Sequence, residues 1–208
     1  MISANCASLK YGKTKSLNAG IINTNANIVT LQETHYNTKG KAQMDASLVV
    51  FEAIRNKKGG GTHVVIHEDL NPKLIEENSE EFELLVVEIE TKENEIRIRS
   101  GYGPQENLDE DKRLSFFIQL ETEIEKAENA GKSVIIELDA NSKIGKNHIP
   151  HDPHEMSPKG ALLRAIIERH NLIIGNASSK CQGTFTRRRT TTNRNEKSVI
   201  HFVFSAMT

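Results

Sequence analysis

A carboxylate and an amide stand two residues apart in this sequence, at Asp139 and Asn141, shortly after the apolar run from Val134 to Ile136. A short run of β-branched residues predicts a strand buried on both faces, and polar groups at its end stand on a rigid platform. There, a carboxylate can deprotonate water or bind a metal ion, and an amide can hydrogen-bond a phosphate. Asp and Asn also start ordinary loops, because they bond their own backbone. The pair alone leaves catalysis and a simple turn both open.

Four other residues with chemically useful side chains end or enter predicted strands. They are Asn5, Glu33, Tyr102 and His201. Carboxylate and amide oxygens suit hard divalent cations, whereas a phenol or an imidazole can donate a hydrogen bond to a phosphate. Each residue also has an ordinary structural explanation, such as a turn-forming amide, a surface carboxylate or a packing aromatic. A single residue of this kind means little, but five strand ends together indicate a site.

Hydrophobic periodicity predicts strands and helices along the whole chain. Helices are predicted over 11–25, 111–130 and 157–170. Strands are predicted over 1–6, 28–31, 47–51, 62–67, 82–90, 95–101, 134–136, 171–175, 184–186 and 199–204. The order strand, helix, strand occurs twice, which favours parallel strands joined by right-handed crossovers. The pattern is typical of an α/β protein.

Composition limits the kind of protein this is. The 208 residues are 37% hydrophobic and 26% charged, which suits one soluble globular domain over 1–208. No apolar stretch approaches the ~20 residues that span a bilayer, and no secretory signal follows Met1. Cys6 and Cys181 are too few for a disulfide framework, so a buried free thiol is expected for each. An intracellular protein, nuclear or cytoplasmic and without membrane association, is expected.

Charge is distributed unevenly, although the formal net charge is only −1. Acidic residues concentrate between 76 and 95, where they indicate a solvated face and loop. Basic residues concentrate in a predicted loop over 187–197, whose arginines are Arg187, Arg188, Arg189 and Arg194. Arginine binds phosphate without reading base sequence, so this loop is a candidate DNA contact, with a merely solvated loop as the rival. Because there is no Trp and only 5% aromatic residues, base stacking is not expected to dominate.

Two further patterns carry less weight. The glycines over 59–61 could cradle a phosphate, but three glycines with no helix after them more often form a hairpin loop. Three histidines between 148 and 154 have a metal-binding spacing. Pro150 and Pro153 interrupt any helix that would align them, which favours a solvated loop.

In their order along the chain, the strand-end motifs resemble the endonuclease/exonuclease/phosphatase superfamily, and most of all the endonuclease domain of non-LTR retrotransposons. The matching pieces are Leu31-Gln32-Glu33-Thr34, Ser100-Gly101-Tyr102-Gly103-Pro104-Gln105, Leu138-Asp139-Ala140-Asn141-Ser142, Thr184-Phe185-Thr186 and Ser198-Val199-Ile200. The resemblance covers essentially the whole chain. It implies an α/β fold of two packed mixed β-sheets flanked by helices, the four-layer DNase I-like sandwich.

The resemblance also implies a site and its chemistry. Glu33, supported by Asn5 and with Asp139 as a further ligand, would hold Mg²⁺, with Mn²⁺ as the alternative. Asp139 would orient and deprotonate the attacking water. Asn141 and Tyr102 would hydrogen-bond the phosphate as negative charge builds on it. The implied partners are DNA and a reverse transcriptase in the same polyprotein.

The sequence departs from the family pattern in two places. His201 stands where the family has Asp in S-x-I-D-F-V, and the family's later Ser-Asp-His signature is absent. The resemblance therefore implies a domain truncated at its C-terminus, with the last strands missing. Because a preorganised donor or general acid contributes ~10²–10⁴-fold, an impaired enzyme is expected.

Three functions remain in competition at this stage. The leading hypothesis is a metal-dependent DNA endonuclease that nicks a phosphodiester and is impaired in this copy. The first rival is a catalytically dead remnant or DNA-binding module that keeps the basic loop. The second is a phosphomonoesterase of the same superfamily, which is disfavoured because Ser142 and Lys143 follow Asn141 where those enzymes tend to have Tyr-Arg.

Overall fold

A computed structural model describes residues 1–6, 8–9, 13–36, 38, 40, 44–54, 60–78, 83–105, 108–149, 152–178, 186–191 and 194–206. The chain separates into two compact units, Met1–Tyr102 and Gly103–Thr208. A single domain over 1–208 stays a prediction. Cys181 and most of the strand predicted over 184–186 lie outside the described residues.

The first unit contains one long helix and seven strands within the described ranges. In chain order they are β1 (Ile2–Asn5), α1 (Lys13–Thr24), β2 (Ile28–Gln32), β3 (Leu48–Ala53), β4 (Thr62–His67), β5 (Lys73–Asn78), β6 (Glu83–Glu90) and β7 (Glu95–Tyr102). One mixed sheet has the order β1-β2-β4-β3, in which β1 and β2 are parallel and the other pairs antiparallel. The predicted first strand–helix–strand unit is thus confirmed. Strands β5, β6 and β7 form an antiparallel meander.

Two hydrophobic clusters stabilise this unit. One packs the face of the mixed sheet that carries Val29 and Leu31 against Ile21 of α1. The other joins Val64 and Ile66 of β4 to apolar residues of β6 and β7, so the mixed sheet packs face to face on the meander. Burial of these side chains is the main stabilising term, since each contributes about 1.5–3 kcal/mol.

The second unit contains two long helices and five strands within the described ranges. They are α2 (Glu110–Asn129), β8 (Ser133–Asp139), α3 (Pro158–Arg169), β9 (Ile173–Ile174), β10 (Arg187–Thr191), β11 (Arg194–Ser198) and β12 (His201–Ala206). Strand β12 pairs antiparallel with both β8 and β9, so β8 and β9 run in the same direction but are not neighbours. The second predicted strand–helix–strand unit is present, with β12 inserted between its strands. None of the helices in the described ranges has the length and apolar character needed to cross a bilayer.

Three element predictions need correction. Strand β5 was not expected, because its sequence Lys-Leu-Ile-Glu-Glu-Asn does not alternate clearly between apolar and polar residues. Its extended backbone is stabilised by pairing with β6, which the local sequence pattern does not reveal. The basic segment over 187–197 was predicted as a loop, but its backbone forms the antiparallel hairpin β10–β11. Its β-branched threonines favour extended backbone. Strand β9 is shorter than the predicted 171–175.

Candidate active site

The carboxylate of Glu33 is held by a tyrosine at the end of another strand of the same unit. Glu33 follows β2 directly and has a left-handed backbone, with φ of 53°. The phenol of Tyr102, the last residue of β7, donates a hydrogen bond to Glu33 Oε1 at 3.0 Å. Left-handed non-glycine residues cost free energy and are enriched at functional sites. The structure therefore brings together two of the predicted residues and fixes the direction of one carboxylate.

The backbone around Glu33 is also fixed. Asn5 ends β1 in register with Gln32, the residue before Glu33. The amide of Ser8 donates to the Glu33 carbonyl at 2.7 Å. Gln32 is fully buried and donates through Nε2 to Ser100 Oγ at 3.3 Å. Asn5 thus ends β1 and Glu33 directly follows the adjacent parallel strand β2, and both side chains carry the oxygen donors that a hard cation prefers.

Removing the Tyr102 hydroxyl tests this arrangement. If Glu33 holds Mg²⁺ for nicking, as the resemblance implies, Tyr102→Phe should raise the Mg²⁺ concentration needed for half-maximal nicking about tenfold, as loss of a group that orients a metal ligand does. We also expect the free energy of unfolding to fall by about 1.5 kcal/mol, since the phenol bonds a carboxylate. Mg²⁺ titrations and urea unfolding measure these effects. Tyr36→Phe is the matched comparison, because that phenol bonds the neutral Leu9 carbonyl; an equal Mg²⁺ shift there would contradict the assignment.

Cys6, next to Asn5, is a free thiol, as predicted, but it is half-buried where a buried thiol was expected. Burial raises its pKa to about 11, with the Glu33 charge acting in the same direction and Lys13 opposing it. A raised pKa means that the folded state keeps the proton, so stability is expected to fall as pH rises from about 9 to 11.

The same shift predicts slow chemistry at this thiol. In a Cys181→Ser background, Cys6 should react with Ellman's reagent at pH 8 roughly 100-fold more slowly than in guanidinium chloride, since the thiolate is the nucleophile. Equal rates in the folded and unfolded protein would contradict the prediction.

In the second unit, the ends of two paired strands bring Asp139 and His201 together. Asp139 ends β8 and His201 begins β12, directly opposite each other in the antiparallel register. His201 Nε2 lies 2.8 Å from Asp139 Oδ2, and both side chains are buried. The other carboxylate oxygen, Oδ1, accepts from the Asn141 backbone amide at 3.2 Å. Both oxygens of Asp139 are therefore engaged within this unit.

Asn141 is fixed by the segment that follows Tyr102. It adopts a left-handed backbone with φ of 46°, which asparagine tolerates better than most residues. Its Nδ2 donates to the Gly103 carbonyl at 3.0 Å, and the Gly103 amide donates back to the Asp139 carbonyl at 2.6 Å. A Cβ on Gly103 would lie 2.8 Å from the Ala140 carbonyl oxygen, so only glycine fits there. The conformation of the loop that carries Asp139 and Asn141 is thus fixed both by the close approach at Gly103 and by these hydrogen bonds.

Two residues that hold His201 had no assigned role in the sequence reasoning. Thr186 Oγ1 accepts from the backbone amides of Ile200 and His201, at 2.9 and 3.0 Å. Asn176 accepts from the Val203 amide and donates to the His201 carbonyl. Thr186 belongs to the motif piece Thr184-Phe185-Thr186, so the sequence did contain an indication that this position matters. Asn176 lies in a short turn, and no motif in the sequence pointed to it.

For the arginines expected to contact DNA, the structure describes the position of the backbone. Arg187, Arg188 and Arg189 lie in β10, and Arg194 begins β11. Antiparallel pairing sets Arg188 opposite Lys197 and Arg189 opposite Glu196. The hairpin therefore concentrates basic residues on two adjacent strands.

The two weaker motifs, the glycines over 59–61 and the histidines between 148 and 154, lie only partly within the described residues. Strands β3 and β4 pair antiparallel, and Gly60 and Gly61 immediately precede β4, whereas Gly59 lies outside the described residues. The Gly61 amide donates to the Glu83 carboxylate at 2.5 Å. The His154 amide bonds Asp152, and His151 lies outside the described residues. Within the described ranges, no group of three or more His, Cys, Asp or Glu side chains is placed to hold a metal ion by itself. Magnesium is commonly held by one or two carboxylates plus substrate phosphates.

Comparison with known proteins shows which solved structures have a similar fold. No protein-family model and no curated protein matches the sequence. The endonuclease domain of TRAS1, a telomere-specific non-LTR retrotransposon, is 19% identical with a TM-score of 0.69, covering 98% of this chain and 83% of that one. AP endonuclease LMAP from Leishmania major is 14% identical with a TM-score of 0.76, covering 98% and 78%.

A third similar structure contains nucleic acid. TDP2 from D. rerio, complexed with a single-strand DNA product, is 13% identical with a TM-score of 0.65, covering 99% of this chain and 82% of that one. These similarities confirm the predicted class, mixed sheets flanked by helices. The chain therefore has a DNase I-like α/β fold.

Proposed function

We propose that this chain is a divalent-metal-dependent DNA endonuclease that nicks phosphodiester bonds and is impaired by His201. The observation that carries the proposal is the geometry at the end of β8, where Asp139 and Asn141 are held at fixed positions in a defined loop. Similar structures include a retrotransposon endonuclease and an AP endonuclease, which supports hydrolysis of a phosphodiester.

The donor sets fit the roles that the resemblance assigns. Glu33 and Asn5 offer oxygen atoms on adjacent strands and would hold Mg²⁺, with Mn²⁺ as the alternative. When bound, the ion would act as a Lewis acid on the phosphate. Asp139 would orient and deprotonate the attacking water, and Asn141 would donate a hydrogen bond to a phosphate oxygen. Tyr102 would donate to the phosphate in exchange for its present bond to Glu33 Oε1, because a phenol has one proton to give. Asp139 is assigned the proton-transfer role in preference to metal ligation, because His201 occupies its Oδ2.

The impairment follows from the same contact. Because Asp139 Oδ2 lies 2.8 Å from His201 Nε2, this oxygen has one acceptor position fewer for the attacking water. The family Asp that His201 replaces is also missing, so its contribution is lost. A rate lower by ~10²–10⁴-fold is expected.

A second candidate function is DNA binding without cleavage, which the engagement of both Asp139 oxygens favours. The basic hairpin β10–β11 would then supply phosphate contacts through Arg187, Arg188, Arg189 and Arg194. For either function, we propose a second partner besides DNA, a reverse transcriptase in the same polyprotein. The proposed location of this chain is the nucleus or the cytoplasm.

Nicking of supercoiled plasmid by the purified chain separates the candidates. With Mg²⁺ we expect slow conversion to open circles, and with a chelator none. A folded sample that shows no Mg²⁺-dependent conversion over a day would refute the endonuclease. Binding of labelled duplex that weakens steeply with salt would then support the second candidate.

A further inference from the structure

A lysine is buried beside the loop that carries Asp139 and Asn141. Lys159, the second residue of α3, is only 6% exposed. Its ammonium donates to the Pro104 carbonyl at 3.1 Å. Burying an ammonium is costly unless its hydrogen bonds are made, so a buried lysine needs a structural or functional reason.

The carbonyl that Lys159 binds is next to the carbonyl that Asn141 binds. Asn141 Nδ2 donates to the oxygen of Gly103, and Lys159 Nζ donates to the oxygen of Pro104. The Gly103 amide in turn donates to the Asp139 carbonyl. Gly103 is therefore bound by the loop that carries Asp139 and Asn141, and the next residue, Pro104, is bound by the buried ammonium of Lys159.

The start of α3 is itself hydrogen-bonded to the residues that follow Asn141. Ser157 caps the helix by accepting from the Gly160 amide, and the same hydroxyl oxygen accepts from the Lys143 amide, each at 3.1 Å. A Cβ on Gly160 would lie 1.8 Å from the Lys143 carbonyl oxygen. Because helix and loop are in direct backbone contact, Lys159 has a fixed base from which to reach Pro104.

From these contacts we infer that Lys159 is a positioning residue for Asn141. Its ammonium holds the Gly103–Pro104 segment, and that segment orients the Asn141 amide. The inference rests on the proposed function in so far as the Asn141 amide hydrogen-bonds the phosphate. Lys159 itself acts through the segment and not on the substrate. A shift of about 1 Å in such a group can cost 10²-fold in rate, so a partial loosening is expected to cost roughly tenfold.

The first test needs no activity. The Asn141 side-chain amide is identified in a ¹⁵N–¹H spectrum by its loss in Asn141→Ala. In Lys159→Met, which keeps the length but not the charge, this signal should move and exchange faster with solvent. Lys159→Arg should restore it, and Lys112→Met, at an exposed position on α2, should leave it unchanged. An unaltered Asn141 signal in folded Lys159→Met would overturn the inference. Should that variant not fold, Lys159→Gln supplies the same comparison.

The second test uses nicking kinetics. Lys159→Met should lower kcat roughly tenfold with KM unchanged, and in an Asn141→Ala background it should have almost no further effect, because the two residues act as one unit. A full tenfold loss in that background would overturn the inference. If the wild-type chain does not nick DNA at all, the proposed function fails, whereas the spectroscopic test still decides the role of Lys159.

Discussion

Replacing Asp139 by asparagine is expected to lower Mg²⁺-dependent nicking by ~10²–10⁴-fold, the range that a general base contributes. Asparagine has nearly the same shape and can still bond His201, but its amide cannot take a proton from water. Asp139 is 1% exposed, so the conservative change is preferred to alanine. Initial rates on supercoiled plasmid at saturating Mg²⁺ measure the effect.

The control for this experiment is Glu125→Gln, which removes one carboxylate charge from the exposed face of α2. It should nick at the wild-type rate. DNA affinity, measured by fluorescence anisotropy, should be similar in all three proteins. If Asp139→Asn keeps the wild-type rate, the nicking comes from a contaminant or from other residues, and the role assigned to Asp139 is wrong.

Replacing Glu33 by glutamine is the second large change. The amide keeps an oxygen that can accept from Tyr102 but lacks the negative charge that holds a divalent cation. We expect the Mg²⁺ concentration for half-maximal nicking to rise at least ~100-fold, beyond the effect of losing an orienting group alone. A Mg²⁺ titration of the nicking rate, repeated with Mn²⁺, gives the result.

Glu93→Gln is the matched control for Glu33, because Glu93 is an exposed carboxylate in the turn between β6 and β7. Its Mg²⁺ dependence should match the wild-type curve. An unchanged titration in Glu33→Gln would show that the ion is held elsewhere, and the metal assignment of Glu33 and Asn5 would have to be abandoned.

Much of the fold could be predicted because its signals are local. The apolar run before Asp139 predicted β8, and the spacing of strands around α1 predicted the parallel pair β1 and β2. Strand β5 could not be predicted, since its edge pairing with β6 is a tertiary effect. The hairpin β10–β11 was hidden by its charge, which suggested a loop.

The candidate site was predictable as a set of residues but not as a set of contacts. The motifs indicated Asp139 and His201 separately, yet their 2.8 Å contact depends on the register of two strands far apart in sequence. Burial of Lys159 was equally hidden, since a lysine near a helix start is normally a solvated charge.

The register between β8 and β12 has a consequence for how this position can change over time. Phe202 and Phe204 point to the face opposite His201, are almost completely buried and have stacked rings, so a one-residue slip would move both out of their present packing to the other face. Core packing, together with the hydrogen bonds that Thr186 and Asn176 form with the backbone, therefore keeps whatever side chain stands at 201 facing Asp139. Substitution at 201, including aspartate by histidine, can therefore occur without a change in the backbone. The chemistry at this position can change during evolution while the fold stays the same.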